Sequence, residues 1–94
     1  RLSKRNILAY SIEIHRAARK QMLALPRRTQ SEIARTIDGL ANNPRPIGYR
    51  KLRGAELWRL RVGRYRVIYA IDDKARLVTV VKVAPRQEDT YHGL

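Results

Sequence analysis

The sequence predicts an α+β domain in which an N-terminal strand and a two-helix hairpin precede an antiparallel β-meander, with the helices packed on one face of the sheet. Apolar residues alternate near the start of the chain, switch to helical spacing across residues 17–42, and alternate again in short runs from residue 49 onward. Proline and glycine mark the changes of period, at Pro26, from Pro44 to Gly48, at Gly54 and at Gly63. At 94 residues there is room for one domain around one modest core, so residues 1–94 are read as a single unit. No internal repeat, low-complexity segment or linker interrupts it.

The first strand covers Leu8 to Ile14, with Leu8, Tyr10, Ile12 and Ile14 on one side and Ala9, Ser11 and Glu13 on the other. A helix follows from Ala17 to Leu25 on the spacing of Ala18, Met22 and Leu25, and Pro26 interrupts it and opens the next. The second helix runs to about Asn42, its apolar stripe being Ile33, Ile37, Leu40 and Ala41, and Asn42, Asn43 and Pro44 end it. Four strand-like runs complete the chain, at Tyr49 to Arg53, Leu57 to Val62, Tyr65 to Ile71 and Arg76 to Val83. The turns between the last three, at Gly63-Arg64 and at Asp72 to Ala75, are short enough for a meander.

Lysine and arginine number 21 against 8 aspartate and glutamate, a formal charge of +13. So much like charge in a small body weakens the compact state by self-repulsion, and a polyanionic partner is the first expectation. There is no cysteine, hence neither a disulfide framework nor a thiolate metal site, and a reducing compartment suits the chain. The two histidines, His15 and His92, have no partner at metal-ligand spacing, which points to chemistry without a metal or other cofactor. No run approaches the roughly 20 apolar residues of a membrane span, and Arg1 to Asn6 is not followed by the apolar stretch of a secretory signal, so a cytoplasmic protein is expected. Membrane-surface binding is disfavoured because the positive charge peaks in strand-like sequence rather than along an amphipathic helix.

The hairpin formed by LWRLRV and YRVIYA carries the most information. A two-residue turn at Gly63-Arg64 pairs Val62 with Tyr65, Arg61 with Arg66, Leu60 with Val67, Arg59 with Ile68 and Trp58 with Tyr69. Trp58, Leu60, Val62, Tyr65, Val67 and Tyr69 then share a face suited to the helices, while Arg59, Arg61 and Arg66 gather on the other. Like charges directly across a strand pair destabilise it, so this face is arranged for an anion. Charge runs are usually solvated. Here, however, Arg45 to Arg66 holds seven arginines and one lysine against a single acid, Glu56, and internal pairing falls short. Phosphate suits the planar guanidinium fork, with Lys51, Arg53, Arg64 and Lys82 as further contacts to nucleic-acid backbone. Arg86 follows the last apolar strand, and Tyr91 five positions on can stack on a splayed base. His15 reads as a surface residue; His92, beside Tyr91, is one of the few groups that titrate near neutral pH.

The element order, the segment KLRGAELWRLRVGRYRVIY and the ending VVKVAPRQEDTY together resemble the RelE family within the RelE/ParE toxin superfamily, from Tyr10 to Tyr91. The resemblance implies a type II toxin that cuts messenger RNA on the ribosome and is neutralised by an acidic, RelB-like antitoxin in a hetero-oligomer. It also implies basic catalytic residues on the third and fourth strands, falling here on Arg59, Arg61 and Arg66, and then Arg86 and Tyr91 near the C-terminus. The family pattern has lysines where this sequence has Arg59 and Arg61, and a guanidinium with a pKa above about 12 is a poor general base. The expected reaction is attack by the RNA 2′-hydroxyl on the adjacent phosphate. In it Arg61 and Arg66 stabilise the transition state, Arg86 sits near the leaving oxygen, Tyr91 orients a base and Arg59 holds a flanking phosphate. For the proton acceptor Tyr91, His92, Lys51 and Lys82 remain open. Two other functions also remain open: a ParE-like inhibitor of DNA gyrase, and an inactive basic module that binds RNA or the ribosome.

Overall fold

The computed structural model describes residues 9–86. Within them the chain forms β1 (Ser11–Ile14), α1 (Arg16–Leu23), α2 (Arg27–Leu40), β2 (Arg50–Lys51), β3 (Trp58–Val62), β4 (Tyr65–Asp72) and β5 (Leu77–Pro85). One five-stranded sheet results, in the order β1-β5-β4-β3-β2. The last three strands form the expected antiparallel meander, β2 adds to it antiparallel to β3, and β1 lies parallel to β5, Ser11 opposite Leu77 and Ile14 opposite Val80.

Each helix ends where local hydrogen bonding requires it. The His15 imidazole Nδ1 accepts from the Ala17 backbone N–H at 3.4 Å and caps α1. Pro26 caps α2 with no side-chain bond, and Gln30 from the first turn of α2 donates to the carbonyls of Leu25 (2.7 Å) and Leu23 (3.4 Å), closing the helical hairpin. At the far end of α2 the Asn42 and Asn43 N–H groups both turn back to the Gly39 carbonyl (3.1 Å), so the helix stops at Leu40 rather than near Asn42.

The helices lie on one face of the sheet. Ala18 from α1 and Ile33, Ile37 and Leu40 from α2 pack in one cluster with Leu60, Val67, Tyr69, Val78, Val80 and Val83, while Trp58, Val62, Tyr65 and Ile71 border it. Tyr69, Ile33, Ile37, Leu40, Val67, Val78 and Val80 are fully buried, each contributing about 1.5–3 kcal/mol of transfer free energy where the side chain is aliphatic. The Tyr69 hydroxyl donates to the Pro44 carbonyl at 2.8 Å inside this core, and burial pushes its pKa up to about 12.

Two strands differ from the sequence reading. The run at residues 49–53 pairs only at Arg50 and Lys51, because Gly48 takes a φ of 97° before it and the chain turns away after Lys51, with Leu52 N–H bonding to the Leu57 carbonyl at 2.9 Å. The first strand begins at Ser11 because the Tyr10 N–H is taken by the Ala41 carbonyl at 2.8 Å; Leu8 lies outside the described residues. In β5 the ladder slips between Ile68 and Tyr69, which face Lys82 and Val80, leaving Val81 as an extra residue. That bulge reverses the alternation. Val78 and Val80 before it and Val83 after it therefore all face the helices, and Lys82 points to the other side.

The end of the sheet at the β4–β5 turn is tied down by side chains. Arg45 grips Asp73 with two guanidinium nitrogens, at 3.1 and 2.8 Å, and the Tyr10 hydroxyl donates to the same carboxylate at 2.5 Å. The Arg45 guanidinium, and then the Tyr10 hydroxyl, hold the Asp73 carboxyl down at a pKa of about 2.

Candidate nucleic-acid interface

The hairpin register matches the expected one pair for pair, from Val62 opposite Tyr65 to Trp58 opposite Tyr69. Gly63 has a φ of 59° while Arg64 does not enter positive φ, the pattern of a two-residue II′ turn with glycine first. Arg59, Arg61 and Arg66 consequently share the face turned away from the helices. Arg61 faces Arg66 directly, and Arg59, Ile68 and Lys82 form the next row across β3, β4 and β5.

Arg50 extends that row. It is exposed and pairs with Arg59 across β2 and β3, whereas Lys51 lies opposite Trp58, on the side of the sheet away from Arg59, and forms an ion pair with Glu56 at 3.4 Å. Sequence reasoning named Lys51 and passed over Arg50, because a two-residue strand has no alternation of its own and takes its phase from its neighbour. The available signal was Tyr49 next to Arg50: its ring lies 5.2 Å from Trp58, fixing that side as the apolar one.

Arg86 comes to the same end of the sheet as Arg61 and Arg66. Its backbone N–H donates to the Arg64 carbonyl (2.8 Å) and its guanidinium to the Gly63 carbonyl (3.2 Å), docking it on the β3–β4 turn. Arg86 follows the last residue of β5, Pro85, which pairs with Tyr65. Arg64 in the turn and Arg53 in the loop before β3 are exposed; Tyr91 and His92 lie outside the described residues.

The three arginines on this face differ in exposure. Arg61 is exposed and Arg59 partly so, but Arg66 is only 7% exposed, with Ile68 at 4% and Ala84 at 3% beside it. Ile68 stands between Arg59 and Lys82, and Arg66, on the central strand, between Arg61 and Ala84. Arg66 is the one buried charged side chain among the described residues. Among the described residues no three His, Cys, Asp or Glu side chains come together where they could hold a metal ion, and no helix is long and apolar enough to cross a membrane.

The chain matches, over residues 12–90, the model of the ParE toxin of type II toxin-antitoxin systems. It is 28% identical over 88 residues to the candidate toxin RelE1 of Methanocaldococcus jannaschii, covering 89% of this chain and 97% of that protein. Among solved structures it resembles the RelE–RelB complex of Pyrococcus horikoshii (31% identity, TM-score 0.75, covering 83% of this chain and 96% of that one). It also resembles the RelBE2 toxin–antitoxin complex of Mycobacterium tuberculosis (26% identity, TM-score 0.75, 82% and 98%).

Proposed function

Since the chain belongs to the RelE/ParE family and is a toxin of a type II toxin–antitoxin system, we propose that it is an endoribonuclease that cleaves messenger RNA on the ribosome and so halts translation. The observation that carries this reading is the placement of Arg59, Arg61 and Arg66 on one face with Arg86 docked at the adjoining turn. A cluster of guanidinium groups so placed suits a phosphate whose negative charge grows during reaction.

In the proposed reaction the 2′-oxygen attacks the neighbouring phosphorus, the bond to the 5′-oxygen breaks, and the products are a 2′,3′-cyclic phosphate and a 5′-hydroxyl. Arg61 and Arg66 stabilise the pentacoordinate transition state, and loss of either donor costs about 3 kcal/mol, roughly a hundredfold in rate. Arg86 faces the departing oxygen and Arg59, with Arg50 beyond it, holds a flanking phosphate. Of the four proton acceptors left open by the sequence, Lys82 stands in the same row as Arg59 and Lys51 on the other side of the sheet, while Tyr91 and His92 lie outside the described residues. Tyr91 also stacks on a base in this reading, and Arg53 and Arg64 add backbone contacts from the surrounding surface, whereas Lys51, expected from the sequence to join them, lies on the Trp58 side of the sheet and pairs with Glu56. The cytoplasm is the compartment where this substrate is met. An acidic RelB-like antitoxin in a hetero-oligomer would cover this face and relieve its repulsion.

The test is primer extension on a translated message incubated with the purified chain, with the products assayed for cyclic phosphate. Cleavage by the parent and its loss in Arg66→Ala and Arg86→Ala, with ribosome binding kept, is the expected result; growth arrest that persists in both variants overturns catalysis and leaves an inactive ribosome-binding module. The match to the ParE model favours a second reading, inhibition of DNA gyrase, so a supercoiling assay belongs beside the first. Inhibited supercoiling without RNA cleavage would select it.

A further inference from the structure

The arginines of the sheet account for only part of the charge. The helical hairpin carries a second cationic set, Arg16, Arg19 and Lys20 on α1 and Arg27, Arg28 and Arg35 on α2, all exposed. The acids of these helices are Glu32 and Asp38, and none of the six cations forms an ion pair with a described residue. Ala18, Ile33, Ile37 and Leu40 turn inward to the sheet, so these cations lie on the opposite side of the molecule from Arg59, Arg61 and Arg66. Gln30 clasps the first turn of α2 to the last residues of α1, which gathers Arg27 and Arg28 beside the end of α1 that carries Lys20.

Helix stability accounts for Lys20, in the last turn of α1, but not for the cations at the two helix starts. Arg16 opens α1, Arg27 and Arg28 open α2, and neither first turn holds an acid, so these charges oppose the helix dipoles. Five of the six are arginine, the residue whose planar fork matches phosphate. The other exposed side chains between them are Ala17, Ala24, Pro26, Ser31 and one acid, Glu32, with Leu23 the large apolar exception. A protein partner docks around an apolar centre, whereas nucleic-acid backbone needs none.

We propose that the helical hairpin is a second polyanion-binding surface, which grips the phosphate backbone of a structured RNA while the sheet face holds the strand to be cut. The second half of that statement rests on the ribonuclease reading; the first does not. A single strand lying on the sheet cannot reach these cations, so the chain bridges two RNA segments.

The experiment separates the two faces by ligand size. The sheet is saturated with a 2′-O-methyl single strand of about five nucleotides, which cannot be attacked at the 2′ position and is too short to round the molecule. Binding of a labelled RNA hairpin with a stem of about 16 base pairs is then measured across a salt series. The hairpin should still bind. In the variant carrying R16Q, R19Q, K20Q, R27Q and R28Q its salt slope should be shallower by about 0.9 for each phosphate that is no longer neutralised, with short-strand affinity unchanged. Glutamine is a good helix former, and a far-UV spectrum and melting curve matching the parent confirm the fold. Complete displacement of the hairpin by the short strand, or an unaltered slope in the variant, overturns the proposal. So does a variant that loses polyglutamate binding but keeps hairpin binding, since the surface would then serve an acidic protein. Failure of the ribonuclease reading shows separately, as a parent chain that ignores the short strand or an Arg61→Gln variant that binds it equally well.

Discussion

Arg61 and Arg66 stand directly opposite each other on β3 and β4, and Arg61 is the exposed member of the pair. Replacing Arg61 by threonine removes one of two facing charges and keeps a β-branched residue on the pleated surface. Like charges in this position cost about 0.2–1 kcal/mol, so Arg61→Thr should stabilise the fold by about 0.5 kcal/mol at low ionic strength. In a domain of this size that raises the melting temperature by about 2–4 °C. The gain should shrink in 1 M salt, where the screening length is about 3 Å. Binding should move the other way: one phosphate-neutralising cation fewer makes the salt slope for single-stranded RNA shallower by about 0.7. Thermal melts in low and high salt, and RNA titrations by fluorescence anisotropy at several salt concentrations, measure both. A variant that melts at or below the parent at low salt, or whose gain is equal in 1 M salt, would refute the repulsion between the two guanidinium groups. An unchanged slope would detach this face from RNA.

Tyr69→Phe leaves the Pro44 carbonyl without its buried donor and should lose about 1–2 kcal/mol in denaturant titrations. Ile37→Ala empties a fully buried site between α2 and the sheet, with an expected loss of about 2–5 kcal/mol by the same measurement. Gly63→Ala meets no neighbouring atom but forces a side chain into a φ of 59°, so a loss of about 1–2 kcal/mol should appear with no change in spectrum. For Asp73 the folded carboxyl, at about 2, lies below its unfolded value, so its contribution is complete above the unfolded pKa and is lost as pH falls from about 5 toward 2. The denaturation midpoint of the parent should therefore drop over that window by more than that of Asp73→Asn, and parallel curves would count against the Arg45–Asp73–Tyr10 clasp.

The hairpin was legible in full because a two-residue turn leaves one register and strict alternation then assigns both faces. Ile33, Ile37 and Leu40 were legible for the same reason at helical spacing. The parallel pairing of β1 with β5 was not, since nothing in SIEI names a partner more than sixty residues away. Nor was the orientation of LVTVVKVAP: the doublet Val80-Val81 hides a change of phase, so the alternation read from either end contradicts the other. At the site, the arginine face followed from pattern alone, while Arg50 needed β2 to be placed against β3, and the burial of Arg66 depends on its place in the middle of five strands. Isolated sequence treats every arginine as solvated.

The extra residue in β5 also sets where the gene can tolerate insertions and deletions. Removing Val81 would leave Val80 against Tyr69, Lys82 against Ile68 and Val83 against Val67, a regular ladder with every side chain still on its own side. The same loss within β3 would exchange inside for outside along the rest of that strand, sending arginines into the core and leucine to solvent. Length variation among relatives should thus collect at residues 80–82 and stay out of 58–62, however freely the side chains themselves drift.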